Sequence, residues 1–204
     1  MCVIKWQGTN NYGKREMKKA LLIVSILFAA VISTACINNI AVQELNNKAA
    51  EYMQKGDYES AMNRLQASLD LDNTMYQTYY NLGVAAIGAN KYDVAIGALE
   101  GGIKIKPDFY DFYYSLGVAQ IGFADDMYEK AELKETAVAD TEKDSVDIQR
   151  DIEKIDKESI VDLKLSAIKN LKIYLEHVPD TKDREAIEEM IKQSEEFIEQ
   201  NAKK

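Results

Sequence analysis

The stretch YYNLGVAAIG at residues 79–88 returns 34 residues later as YYSLGVAQIG at residues 113–122, with eight of ten positions identical. The same spacing separates Ala61 from Ala95. A period of 34 residues is that of a helix–turn–helix unit, which buries its apolar face only against neighbouring units. Stacked units leave a continuous concave surface. The repeat therefore predicts an all-α protein that functions by binding.

The second repeat, residues 76–109, holds the most complete set of characteristic residues. They are Tyr79, Leu82, Gly83 and Ala86 on its first helix, and Ala95, Leu99 and Pro107 on its second. This pattern resembles that of the tetratricopeptide family, although Ala86 stands where that family has Tyr. The resemblance implies a right-handed solenoid of three helix–turn–helix repeats. The concave surface would then be lined mainly by the first helix of each repeat.

The first repeat, residues 42–75, is more degenerate, as a terminal repeat tolerates. Its matching residues are Leu45, Ala49, Tyr52, Ala61 and Leu65, whereas Lys48 stands where Leu is expected and Asn73 replaces Pro. Small residues recur where helices approach most closely. These positions are Ala49, Ala61, Gly83, Ala95 and Gly117.

The third repeat is interrupted between its two helices. Its first helix keeps Tyr113, Leu116, Gly117 and Gln120, but Glu129 occupies the position of the next conserved Ala. The second-helix pattern appears about 38 residues later, at Ala167, Leu171 and Pro179. We therefore assign the third repeat to residues 110–124 and 161–180, with an insertion at 125–160. A capping helix is predicted at 182–202.

Two interpretations of the insertion remain open. Residues 125–162 contain 14 acidic and six basic residues and no Gly or Pro. In one interpretation, both helices continue into a protruding hairpin that turns near residues 138–143 and projects about 25 Å. In the other, the segment is a solvated acidic linker. The spacing of Ile148, Ile152 and Ile155 favours the helical hairpin, because it places them on one helical face.

The N-terminus resembles an export signal. Lys18 and Lys19 precede the apolar run ALLIVSILFAAVIS at residues 20–33, which is short for a membrane span. Cys36 follows small residues, as in a bacterial lipobox, although Ser33 replaces the usual aliphatic residue. This resemblance implies that 1–35 is a signal region and that 36–204 is a mature protein lipidated at Cys36. Ordinary signal cleavage and an uncleaved anchor are the alternatives.

The true start of translation is predicted at Met17, because a signal peptide normally begins at its own Met. Residues 1–16 would then lie outside the gene, and the alternative is a short cytoplasmic extension. In either case we expect a bacterial membrane-anchored lipoprotein on the periplasmic or cell-surface side.

The charge balance excludes nucleic acid as a partner. Residues 1–35 hold five of the 25 basic residues and one of the 34 acidic residues, so the remaining chain has a net charge of −13. Nucleic-acid binding requires clustered Lys and Arg. The expected partners are therefore a protein or peptide, with membrane contact only through the N-terminal lipid.

Catalysis is not expected. His177 is the only His and falls in the last turn of a predicted helix, where it complements the helix dipole. Cys36 has no Cys or His nearby in sequence that would support nucleophilic chemistry or a zinc site. The pairs Glu188–Glu189 and Glu195–Glu196 fit a solvated helical face. We expect no cofactor and no metal.

The family resemblance assigns the groove to positions 2, 5, 9 and 12 of each repeat. In the first repeat these are Gln43, Asn46, Ala50 and Met53, and in the second Gln77, Tyr80, Val84 and Ile87. The third supplies Asp111, Tyr114, Val118 and Ile121. Their Tyr, Val and Ile side chains suit an apolar helix or an extended peptide. The family's carboxylate clamp is not expected, because of its five positions (Asn46, Ala50, Asn81, Asp111 and Ser115) only Asn81 fits.

Two functions in the same compartment follow from these observations. The first is a non-catalytic adaptor that holds a partner in the cell envelope through its groove. The second is a structural subunit of an envelope or pilus assembly complex. The groove is predicted to be open, but the helix at 182–202 or the insertion could instead fold into it and cover it.

Overall fold

Every regular element in the described part of the chain is an α-helix. The computed structural model describes residues 10–138 and 146–201, and within these the side chains of 17–25, 40–131 and 157–201. The helices are α1 (Asn10–Gln54), α2 (Tyr58–Leu71), α3 (Tyr76–Gly88), α4 (Tyr92–Ile105), α5 (Asp111–Val138), α6 (Val146–His177) and α7 (Arg184–Asn201).

Consecutive helices pack in pairs, as the repeat predicts. The end of α1 packs against α2, α3 against α4, and α5 against α6, while α7 lies against α6. The prediction of an all-α fold built from helix–turn–helix repeats is therefore confirmed. The helix predicted at 182–202 corresponds to α7.

The first two repeats turn from one helix to the next in the same way. Gly56 and Asn90, which lie 34 residues apart, have φ angles of 75° and 55°. In each case the next residue donates a backbone hydrogen bond five residues back, from Asp57 to Tyr52 and from Lys91 to Ala86. This left-handed cap ends α1 and α3 at equivalent points. It explains Gly56 in the first repeat, because Gly adopts this φ without steric cost.

The predicted small residues lie where the helices meet. Ala49, Ala61, Gly83, Ala95 and Gly117 are all buried. Leu82 and Leu116, each 4% exposed, belong to two successive core clusters. A third cluster joins α6 to α7 through Leu171, Ile187 and Ile191. The apolar core therefore extends from repeat to repeat rather than forming one centre.

Helices α5 and α6 form an antiparallel pair. A Cβ on Gly117 would lie 2.7 Å from Leu171, Asn170 donates to Gln120 at 2.9 Å, and Lys164 pairs with Asp125. Along these three contacts the residue numbers increase in α5 while they decrease in α6, so the two helices run in opposite directions.

The insertion continues both of these helices, since α5 extends to Val138 and α6 begins at Val146. This agrees with the hairpin interpretation and not with an irregular linker. Most of the turn predicted at 138–143 lies outside the described residues. The side chains of Ile148, Ile152 and Ile155 also lie outside them.

The predicted boundary between residues 35 and 36 falls inside α1, which is continuous from Asn10 to Gln54. Leu21, Leu22, Ile23 and Val24 are exposed on it. The side chain of Cys36 lies outside the described residues, so its lipidation stays a prediction. Among the residues that were described, no helix is both long and apolar enough to cross a membrane.

Candidate functional site

The first helices of the three repeats (α1, α3 and α5) carry all twelve residues assigned to the groove from the sequence. Gln43, Ala50 and Gln77 are exposed. The other nine are half-buried: Asn46, Met53, Tyr80, Val84, Ile87, Asp111, Tyr114, Val118 and Ile121. Most of the predicted lining residues therefore expose only part of their side chain, and the rest of the side chain packs against the protein itself.

The ring of Tyr80 packs against the next repeat. Its centroid lies 5.2 Å from that of Phe109 and 5.7 Å from that of Phe112, both edge to face. Burial raises the pKa of Tyr80, a hydrogen bond with Ser115 opposes the shift, and the carboxylate of Asp111 adds to it. Tyr80 thus helps to join α3 to α5 in addition to bordering the groove.

Tyr114 occupies the equivalent position one repeat later and is covered by the C-terminal part of the chain. Its ring centroid lies 5.3 Å from that of Tyr174 on α6. Burial raises its pKa, and the Asp183 carboxylate adds to the shift. Tyr114 and Ile121 both pack against the third core cluster, which includes Ile187 of α7. The groove is therefore more enclosed at the third repeat.

Further predicted lining residues divide into two groups. Met53 packs against the first core cluster and Ile87 against the second. Val84, Val118 and Asp111 are half-buried and belong to none of the three clusters.

An open cavity of about 280 Å³ lies between α1 and α3, the first helices of repeats one and two. Its lining is composed mainly of amide side chains. The lining residues are Gln43, Asn46, Asn47, Met75, Gln77, Thr78 and Asn81. None of these seven carries a formal charge. The cavity therefore lies on two of the helices that were assigned to the concave surface.

Three of the predicted groove positions line this cavity, namely Gln43, Asn46 and Gln77. The sequence assignment missed Asn47, Met75 and Thr78, and it considered Asn81 only as a clamp position. A signal was present, because Gln43 and Gln77 are 34 residues apart, as are Asn47 and Asn81. Repetition of polar residues on the same helix face marks a shared surface role as clearly as repetition of small residues marks packing.

A buried polar group connects three helices beside the cavity. The Asn46 amide nitrogen lies 2.9 Å from the Val42 carbonyl, 2.8 Å from the Ser68 hydroxyl and 3.2 Å from the Thr78 hydroxyl. Ser68 and Thr78 are fully buried. The Asn46 Oδ1 atom is buried and has no hydrogen-bond partner. A buried acceptor without a donor costs about 1–3 kcal/mol.

His177, Glu188 and Glu195, which we considered as catalytic residues, each contact other residues of the protein. His177 lies with Nδ1 2.9 Å from the Ile173 carbonyl and its ring stacked on Tyr110 at 4.1 Å. Glu188 pairs with Arg184, and Glu195 pairs with Lys172. Within the described residues, no group of three or more His, Cys, Asp or Glu side chains is placed to hold a metal.

Residues 49–86 match the family model of the TPR repeat. The matched residues run from the packing residue Ala49 through the turn at Gly56 to Ala86 of α3, so they include parts of the first two repeats. This fold is typically a non-catalytic scaffold for protein–protein interaction.

Two crystal structures of MamA are similar to this chain, each with 23% identity and a TM-score of 0.40. One similarity covers 80% of this chain and 81% of that structure, and the other covers 85% and 90%. No curated protein matches the chain.

Proposed function

We propose that this protein is a non-catalytic adaptor that binds a protein partner in its groove and is held at a bacterial membrane by a lipid on Cys36. The observation that carries the binding function is the open cavity between α1 and α3. It lies on the helices that line the concave surface of stacked repeats, which is where such proteins bind their partners. The TPR repeat at 49–86 supports a protein as the ligand.

The binding site centres on the first two repeats in this proposal. There, the cavity is open and exposed Gln77 borders it. At the third repeat, Tyr114 and Ile121 pack against residues of α6 and α7, which leaves less of their surface for a partner. Val84 and Ile87, half-buried on α3, supply apolar contact surface on the same helix as Gln77.

The lipid anchor is supported by the sequence alone. Cys36 follows an apolar run and small residues, and no other Cys occurs after it. A single acyl chain gives only marginal membrane binding, so the proposal requires the multiple acyl chains that bacterial lipoproteins carry.

One experiment in cells tests both parts of the proposal. A photoreactive amino acid replaces Gln77 in the groove or Asn63, which is exposed on α2, and the cells are also fed a labelled fatty acid. We expect a discrete crosslinked product from position 77 and none from position 63. The fatty-acid label should be present in wild type and absent in Cys36→Ala.

The two readouts fail independently. Equal crosslinking from positions 77 and 63 would contradict a specific site in the groove. Equal labelling of wild type and Cys36→Ala would contradict lipidation while leaving the binding function in place.

A further inference from the structure

We infer that the groove binds a Lys or Arg side chain of the partner between the second and third repeats, among tyrosine rings and carboxylates. This inference rests on the proposed function and specifies one residue of its ligand. The residues of this cation site are Tyr80 on α3, Asp111 and Tyr114 on α5, Tyr174 on α6 and Asp183 just before α7.

Contacts within the protein bring these residues together from distant parts of the chain. Asp111 and Tyr114 are three residues apart on α5, so they share a face of that helix. The ring centroids of Tyr114 and Tyr174 are 5.3 Å apart. The Tyr174 hydroxyl donates to Thr181 Oγ1 at 3.3 Å, and the same oxygen accepts the Asp183 backbone N–H at 3.4 Å. Asp183 therefore lies beside the same pair of rings.

The titration of the tyrosines reflects the same grouping. Burial raises the pKa of Tyr114, and the carboxylate of Asp183 and the phenol of Tyr174 add to the shift. Burial also raises the pKa of Tyr80, and the carboxylate of Asp111 adds to that shift, as do the phenols of Tyr174 and Tyr114. A negative charge acts on each of these two phenols, so a cation placed among the rings would be attracted from both sides.

The protein does not neutralise these carboxylates with its own cations. Within the described residues, neither Asp111 nor Asp183 forms an ion pair. Arg184 follows Asp183 directly but donates to backbone carbonyls at the end of α6 and just beyond it, and pairs with Glu188. Lys182 is exposed and has no ion pair in this part of the chain. The two carboxylates are therefore available to a ligand.

Elsewhere the protein places its own lysines between a ring and a carboxylate. The Lys106 ammonium lies 5.6 Å from the ring centroid of Tyr76 and 3.1 Å from Asp108 Oδ1. The Lys164 ammonium lies 4.7 Å from the ring centroid of Phe197 and pairs with an aspartate of α5. The cation site offers the same two components, and a basic side chain of the partner would complete it.

The exposure of the site suits a long basic side chain. Tyr174 is only 9% exposed, Tyr80 and Tyr114 are half-buried, and Asp183 is exposed. The apolar stem of Lys or Arg packs against such rings while its charged end stays near the carboxylates. The face of an aromatic ring attracts a cation.

The charges of the site exclude an anionic ligand. A phosphate or a terminal carboxylate would be repelled by both aspartates. Asp111 stands at one of the five positions of the family's carboxylate clamp, so its preference for charge is opposite to that of the clamp. The net charge of −13 outside residues 1–35 also attracts a basic segment from solution.

The cation site continues the open cavity of the first two repeats. Tyr80 follows the cavity residue Gln77 by three positions on α3, so both lie on one helical face. Packed helices lie about 8–10 Å apart. A partner bound between α1 and α3 therefore needs to extend by about one helix spacing to place a basic side chain in the site.

The test uses the full-length protein in detergent and a displayed library of random peptides as the probe. A photoreactive amino acid at position 77 or 63 identifies the peptides that bind in the groove, because these crosslink from 77 only. We expect each groove peptide to contain a Lys or Arg whose replacement by norleucine weakens binding about tenfold. Norleucine keeps an apolar stem and removes the charge. The affinity of the original peptide should also fall as the salt concentration rises, and that of the norleucine peptide should depend less on salt.

Isosteric variants of the protein test the carboxylates. Asp111→Asn and Asp183→Asn should each weaken binding of the original peptide about three- to fivefold. Both variants should have little effect on the norleucine peptide, since the interaction is already lost. Asp93→Asn is the matched control, because Asp93 is exposed and lies in the first turn of α4 as Asp111 lies in the first turn of α5. It removes the same charge and should leave affinity unchanged.

The inference and the proposed function fail in different ways. Groove peptides that tolerate norleucine at every basic position would overturn the cation site and leave the groove function in place. The same conclusion would follow if Asp111→Asn and Asp183→Asn both bound these peptides as tightly as Asp93→Asn does. If no peptide crosslinks from position 77 in preference to position 63, both the inference and the groove function are contradicted.

Discussion

Two glycines on helices show how the surroundings of a residue, rather than its type, decide the effect of a substitution. A Cβ on Gly117 would lie 2.7 Å from Leu171 Cγ and 3.2 Å from the Ala167 carbonyl oxygen, so both a side chain and the backbone of α6 stand in its way. A Cβ on Gly97 of α4 would meet nothing within 4 Å. Both glycines have helical backbones, in which Gly is less favourable than Ala by about 1 kcal/mol.

We therefore expect opposite effects from the same substitution. Gly97→Ala should raise the free energy of unfolding by about 0.5–1 kcal/mol, since it gains helix propensity without a clash. Gly117→Ala should lower it by about 1–3 kcal/mol, because α5 and α6 must move apart. Urea unfolding followed by circular dichroism measures both. Stabilisation by Gly117→Ala would show that α6 shifts away at little cost.

At the level of helices, the sequence predicted the elements of the second repeat well and the contacts between repeats poorly. Small residues at a fixed spacing identified the packed faces of α3 and α5, and Gly117 lies there as expected. The 34-residue spacing does not show which contacts two residues at equivalent positions make. Thr78 and Phe112 are 34 residues apart and both are fully buried, yet Thr78 contacts Asn46 and Phe112 packs against Tyr80.

The partial covering of Tyr80 and Tyr114 could not be predicted for the same reason. Phe109 and Phe112 follow Tyr80 by about one repeat, and no local pattern shows that their rings meet it. Tyr174, which lies against Tyr114, is separated from it by the whole insertion. Such contacts depend on how the helices are placed in space, and helical periodicity carries no information on that placement.

An ion pair joins α5 to α6 at the point where the insertion begins. The Lys164 ammonium lies 2.6 Å from Asp125 Oδ1 and 4.7 Å from the ring centroid of Phe197 on α7. The Lys164 side chain is 6% exposed, whereas that of Asp125 is 60% exposed. Asp126 and Lys130 form a nearby pair in which the lysine is 65% exposed, and they provide a comparison.

Removing either partner of the buried pair should have unequal effects. Asp125→Ala leaves the Lys164 ammonium buried without its counter-ion and should cost about 1–3 kcal/mol of unfolding free energy. Lys164→Met should stay within about 1 kcal/mol of wild type, because an apolar side chain of similar length replaces the buried cation. The control Asp126→Ala should cost less than about 0.5 kcal/mol. If chemical unfolding gives Asp125→Ala the small value of this control, the Lys164 ammonium reaches water.

For the whole molecule, the helices form a packed stack of repeats, and α5 and α6 continue beyond it as an extension. The stack ends in well-buried residues at the base of the extension, with Ala124 fully buried and Ile160 1% exposed. Tyr128 and Phe197 also meet there, with ring centroids 5.2 Å apart. Each repeat depends mainly on contacts with its neighbours. The stability of the stack should therefore come from the repeats and from these contacts, and not from the extension.

Deletion of residues 132–156, with Ala131 joined to Lys157 by a short Gly-containing turn, tests this division. The variant keeps the Asp125–Lys164 ion pair and the ring contact between Tyr128 and Phe197, so its repeats and α7 should remain packed. We expect a single cooperative unfolding transition and a loss of less than about 2 kcal/mol, since the core residues of the described side chains all lie outside the removed segment. The helical signal should fall only by the share of the removed residues. The groove between α1 and α3 is built from the first two repeats, so crosslinking of the partner from position 77 should persist unchanged. Loss of cooperative unfolding would show that the extension folds back onto the stack. Loss of the crosslinked product alone would show that the extension forms part of the binding site.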